Sequence, residues 1–123
     1  LVLHMRQDDS IVVDDQYSRK HSMYIRNILY VQSDDHYLLF KVVNKSSFET
    51  IRAHERLKDF ESLLMPYSFV RIHKSYLVNL KYVTNIYRKT NEVEIEGKIR
   101  LPLSKHYRHD VMEKYIEYMR TNV

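Results

Sequence analysis

The segment NEVEIEGKIRLPLS, residues 91 to 104, constrains the fold more than any other stretch of this chain. Val93, Ile95, Ile99, Leu101 and Leu103 share one parity, and Glu92, Glu94, Glu96, Lys98 and Arg100 share the other. Side chains alternate across a strand, so the pattern specifies two strands with one buried face and one wet face. They turn at Gly97, the only glycine. Paired residues share a face, so Ile95 and Ile99 stay together only if an odd-numbered loop, three residues or a bulge, joins the strands. The wet face is acidic on one arm and basic on the other, which sets opposite charges across from one another. Lys98 and Arg100 are therefore expected to be structural.

With one Gly and two Pro in 123 residues, other turns must be built from Asn, Asp and Ser. MYIRNILYVQSDD (23–35) closes on such a signal, and HYLLFKVVN (36–44) ends on another. Together they predict a hairpin whose loop, Ser33-Asp34-Asp35-His36, presents His36. SIVVDD (10–15) is the only strand-like piece before Lys20, and YVTNIYRKT (82–90) leads into the alternating hairpin. Eleven Tyr and four Phe suit pleated, half-buried surfaces.

Residues 46–66 change character. A helix is expected to begin at Thr50 or Ala53, with Leu57, Phe60, Leu63 and Leu64 on its apolar face and Pro66 ending it. KHYRHDVMEKYIEYMR (105–120) predicts a terminal helix capped by Ser104, with Tyr107, Val111, Met112, Tyr115, Ile116 and Met119 as its stripe. Lys105, His106, Arg108 and His109 load its first turn with the wrong sign for the helix dipole, so that charge has another purpose. The expected class is mostly β, with one short internal helix and a C-terminal helix.

The length suits one domain. It is placed at 21–123, after a polar, acidic segment at 1–20 that is a linker or a first strand. The opening LVLHM ends in a His-Met pair of the kind a cloning site leaves, which marks 1–4 as a vector scar and Met5 as a candidate first native residue. The chain has no Cys, which removes disulfides, thiolate chemistry and Cys-ligated zinc. No run approaches the ~18 apolar residues of a membrane span, and no basic-then-apolar leader opens the chain. The expectation is a cytoplasmic protein with no membrane insertion.

The stretch FVRIHKSYLVN (69–79) is apolar at both ends but holds Arg71, His73, Lys74 and Ser75 with no carboxylate among them. Charge is skewed around it. Residues 62–109 carry nine basic and three acidic side chains, a net of +6, and the remainder nets −2. A one-signed field on a small domain is the footprint of a polyanion partner; the bland alternative is a basic face kept for solubility. Three loop or element-end positions carry groups suited to DNA: His36, Arg71 to Ser75, and Ser104 to Arg108. Enzyme chemistry lacks support. Ser75 beside His73 has no strand-turn-helix elbow, and one glycine cannot build a phosphate-cradling loop. His106 and His109 stand three apart on the terminal helix but have no third ligand and sit among bases that repel a cation. No cofactor is expected.

FVRIHKSYLVNLKYVTNI resembles the signature of the LytTR family of bacterial DNA-binding domains, which runs Phe-x-Arg-Ile/Cys-His-Arg/Lys-Ser-Tyr/Phe-Ile/Leu-Val-Asn. The resemblance extends in register to IRNILYVQSDDHYLLFKV (25–42), FETIRAHERLKDFESLL (48–64) and VEIEGKIRLPLSKHY (93–107), about four fifths of the chain. It implies elongated antiparallel sheets that read DNA through loops in successive major grooves rather than through a recognition helix. His36, Lys74 and Lys105 would supply base-directed side chains. Arg71, Ser75, Ser104 and His106 would hold phosphates or shape loops, and His73 would do either. Many members carry Arg where this chain has Lys74 and Lys105; lysine offers a mobile point charge rather than a rigid fork.

The resemblance implies a transcription regulator, the output domain of a two-component response regulator with a receiver domain elsewhere in the protein, associated with the bacterial nucleoid when bound. It would act on double-stranded DNA with paired direct repeats, two copies side by side. Two rivals use the same surface: a basic module for an acidic protein partner, and an RNA-binding β domain that stacks bases on Tyr37, Tyr76 and Tyr107.

Overall fold

The computed structural model describes residues 8–122; the expected scar at 1–4 and Met5 lie outside them. β1 (Ser10–Asp14) and β2 (Lys20–Tyr24) form an antiparallel ribbon. β3 (Ile28–Asp34), β4 (Tyr37–Asn44) and β5 (Ser47–Ala53) follow as a meander. After α1 (Leu57–Leu64), β6 (Phe69–His73) and β7 (Tyr76–Asn79) return to the same sheet, whose order is β5-β4-β3-β7-β6. β8 (Val83–Tyr87), β9 (Glu92–Ile95) and β10 (Ile99–Pro102) make a second antiparallel sheet, and α2 (Lys105–Thr121) closes the chain. The mostly-β class with two helices is the observed one. Among the described residues no helix is long and apolar enough to cross a membrane.

The five-stranded sheet is covered on both faces, and this explains the apolar ends of residues 69–79. One core joins Ile11, Val13 and Met23 of the ribbon to Val31, Leu38, Phe40, Ile51, Phe69 and Leu77, under Leu57, Phe60 and Leu64 of α1. The other joins Leu29, Val70, Ile72 and Val78 to Val93, Ile95, Leu101 and Leu103 of the second sheet and Val111 of α2. A strand buried on both faces reads as a continuous apolar run, not as an alternation. Alternation along β6 sends Phe69 to the α1 side and Val70 and Ile72 to the other. Arg71 has the parity of Phe69, so it points toward α1.

The closing hairpin follows its sequence. Ile95 pairs with Ile99 across the three-residue loop Glu96-Gly97-Lys98, in which Glu96 (φ 54°) and Gly97 (φ 67°) are left-handed. Arg100 lies opposite Glu94 and reaches Glu92 and Glu94 at 3.2 and 3.4 Å, with its guanidinium over the Tyr87 ring. Lys98 lies over Phe48.

Two expectations are corrected. The internal helix does not begin at Thr50 or Ala53: Ser47–Ala53 pairs along the whole of β4, with Ile51 and Ala53 alternating inward, and α1 starts only at Leu57. Ile51 and Ala53 stand at a strand spacing, and pairing with β4 decides the outcome. Leu63 is 47% exposed, outside the helix's buried face. On α2, Tyr107, Val111, Tyr115 and Tyr118 meet the core, whereas Ile116 and Met119 face solvent. The stripe is rotated because tyrosines bury their rings while keeping their hydroxyls wet.

Candidate nucleic-acid interface

The β3–β4 turn is the two-residue Asp35-His36, with Asp34 paired to Tyr37 and Asp35 at φ 58°. Asp tolerates this left-handed geometry better than most residues. His36 projects from the tip with its side chain 79% exposed, 3.7 Å from Asp35. The β6–β7 turn, Lys74-Ser75, stands beside it, because the Ser33 amide donates to the Ser75 carbonyl at 2.8 Å. His36 and Lys74 thus line one open cleft of about 650 Å³ together with His54, Arg56 and Lys58.

The third position joins through main chain as well. The Ser104 amide donates to the Ile72 carbonyl at 2.8 Å, which sets the start of α2 beside the end of β6. Ser104 caps α2 by accepting from the His106 amide at 3.3 Å. Lys105 and His106 are exposed on that first turn, and His106 stands edge-on to Tyr107. Lys74 and Lys105 have no ion pair among the described residues. A lone exposed ammonium is free to meet an anion.

The cluster at 71–75 is not a set of unpaired polar groups, and here the sequence expectation is corrected. Arg71 donates from Nε to the His73 carbonyl (2.8 Å), from Nη2 to the Lys74 carbonyl (2.6 Å) and from Nη1 to the Glu61 carboxylate on α1. Its side chain is 17% exposed. His73 accepts the Ser75 amide on Nδ1 at 3.1 Å and packs edge-on against Tyr76. That bond assigns the remaining ring proton to Nε2 in the neutral form. Arg71 and His73 build the turn, and Lys74 is what the turn presents.

Arg108 is half-buried and donates to Asn91 Oδ1 at 3.2 Å, bracing the β8–β9 turn, where Asn91 sits at φ 55°. Sequence reading missed Glu61 as the partner of Arg71, and it missed His54, Arg56 and Lys58 at the cleft. The expected helix start hid them: His54 and Arg56 lie on the exit of the edge strand β5, and Lys58 on the first turn of α1. Asp35, Glu55 and Asp59 also line the cleft, so its charge is mixed.

No curated protein matches this chain. Among solved structures, the LytTr DNA-binding domain of a methyl-accepting/DNA response regulator from Bacillus cereus is similar with a TM-score of 0.68, at 20% identity, over 85% of this chain and 94% of that chain. That likeness establishes the fold. The family model described as the LytTr DNA-binding domain matches residues 18–116, which include β2 to β10 and most of α2. The chain belongs to the LytTr DNA-binding domain family.

Proposed function

We propose that this domain reads duplex DNA sequence-specifically, with His36, Lys74 and Lys105 directed at base edges. Arg71, His73, Ser75, Ser104, His106 and Arg108 hold phosphates or the loops themselves. The observation that carries this reading is the union of three exposed, separately encoded basic positions through two backbone bonds, Ser33 to Ser75 and Ser104 to Ile72. Rigid turns on a sheet edge are suited to enter a major groove, where donors meet guanine O6 and N7. The regulator would place two copies on paired direct repeats and work as the output domain behind a receiver in a bacterial cytoplasm.

The RNA rival loses ground on geometry. Base stacking needs open ring faces, but Tyr37 is covered by Arg52 at 4.2 Å and flanked by His54. Tyr76 is flanked by Tyr30 and His73, and Tyr107 by His106. The acidic-protein rival is tested by sequence discrimination, from which such a module gains nothing.

Selection from a random duplex pool at near-physiological salt tests the proposal. Recovery of a short element repeated at whole helical turns supports it; retention without enrichment removes sequence reading and leaves a basic surface.

A further inference from the structure

We propose that Glu61 and Arg71 form an internal clamp that holds the Lys74 turn in its reading geometry, making Glu61, which contacts no DNA, a positioning residue for base discrimination. The inference rests on the reading that Lys74 faces base edges. It differs in giving Arg71 no contact with DNA.

The strand ladder fails where Lys74 needs support. Arg71 pairs with Leu77 and His73 with Tyr76, so the register shifts between Arg71 and His73. Two carbonyls past that shift, those of His73 and Lys74, accept from side-chain donors. Arg71 supplies both from one guanidinium, and a third donor goes to Glu61. The planar fork fits this task because its donors are fixed relative to one another. Glu61 is in turn fixed by the burial of Leu57, Phe60 and Leu64 on the same helix.

Lys74 is therefore bracketed. Arg71 holds its carbonyl, His73 holds the next amide, and Ser33 holds the next carbonyl. A lysine contributes a mobile point charge, and a mobile charge attracts every phosphate equally well. Discrimination from such a residue depends on where its backbone is held. With a half-buried carboxylate behind it, the Arg71 guanidinium is committed inward; with a loose turn, Lys74 would attract without discriminating.

The test uses the selected duplex and its single-base-pair variants, titrated over a salt series with the wild type, Lys74→Ala, Lys105→Ala and Glu61→Gln. Removing an acid near a polyanion ordinarily tightens binding to every sequence. The clamp predicts the reverse at particular positions. Glu61→Gln should lose about tenfold in discrimination, the scale of one base-directed contact, at the base pairs that Lys74→Ala affects. It should keep discrimination at the pairs that Lys105→Ala affects, and it should keep the salt slope. Arg71→Lys, which retains a charge for Glu61 but cannot serve both carbonyls, should lose the same base pairs and serves if Glu61→Gln is poorly folded. Uniformly tighter binding by Glu61→Gln overturns the clamp. So does a salt slope lowered by about one in Arg71→Gln, because that marks a lost phosphate contact. If Lys74→Ala itself leaves discrimination intact, the reading of Lys74 fails and the clamp's purpose with it, a result separable from failure of Glu61→Gln alone.

Discussion

The Ser33 amide donates to the Ser75 carbonyl at 2.8 Å, and this one bond makes two turns far apart in sequence into a single edge. β7 runs beside β3 for only three paired positions, Tyr30 with Val78, Val31 with Leu77 and Gln32 with Tyr76. The Ser33 bond extends the ladder by one step into the turn. His36 and Lys74 then project from neighbouring, internally braced corners rather than from independent loops. A reading surface so built is preorganised, and binding spends little on ordering it.

Lys74→Ala and Lys105→Ala should each weaken specific binding by about 1–3 kcal/mol and relax preference at a different part of the site. Both side chains are exposed, so stability should change little. His36→Ala should cost less, since an imidazole rarely makes a bidentate contact. Equilibrium titration against a selected duplex and a scrambled one separates loss of discrimination from uniform weakening. A variant that keeps wild-type affinity and preference removes its residue from the interface.

The two cores should respond separately to truncation. Leu77 belongs to the core under α1 and Ile95 to the core under the second sheet, and both are fully buried. Leu77→Ala and Ile95→Ala should each lower unfolding free energy by about 2–5 kcal/mol, the lost transfer term plus the cavity. Denaturant unfolding measures it. A midpoint unchanged by either substitution contradicts the burial assigned to that strand.

Much of this was legible in the chain, for identifiable reasons. The 91–104 hairpin was readable to its loop length because one face is wet, so alternation survives in the sequence. Residues 69–79 were harder, because burial on both faces erases alternation and hides which way Arg71 points. Its partner Glu61 lies ten residues away on a separate element, beyond any local rule. The 46–66 error has the opposite cause: Ile51 and Ala53, at a strand spacing, run directly into the helical period of Leu57, Phe60 and Leu64, and only pairing with β4 marks where one gives way to the other. The site positions on turn tips were visible because a turn tip needs polar residues. The bonds joining those turns are main-chain bonds, which leave no mark on residue identity.

Asn79 is the one polar residue fully buried among those described, and it joins both halves of the central sheet. Its Nδ2 donates to the Ile28 carbonyl at 2.9 Å, and its Oδ1 accepts the Lys81 amide at 3.0 Å. Asn79→Leu keeps the volume but removes the donor to the buried Ile28 carbonyl, at about 1–3 kcal/mol, and the acceptor for the Lys81 amide. The expected result is a lower melting temperature with unchanged far-ultraviolet dichroism. A variant as stable as the wild type would mean that water or a shifted backbone satisfies both groups.

Acid should weaken the fold partly through Glu94. The Thr84 hydroxyl at 2.8 Å and the Tyr87 hydroxyl at 2.9 Å hold its carboxyl below the ordinary value of 4.5, with Arg100 adding to the effect and burial opposing it. A group whose pKa is lower when folded than when unfolded binds fewer protons in the folded state. Its stabilisation is complete above the unfolded pKa and is lost as pH falls through the folded one. Thermal melts from neutral pH downward should therefore be nearly level in this respect until about pH 4.5 and then decline. Glu94→Gln should start less stable at neutral pH and lose less on acidification, so the two curves approach each other. Parallel curves would show that these hydroxyl bonds do not distinguish the carboxylate from its neutral form, and would transfer the acid sensitivity to Asp15, whose carboxyl is lowered first by His21.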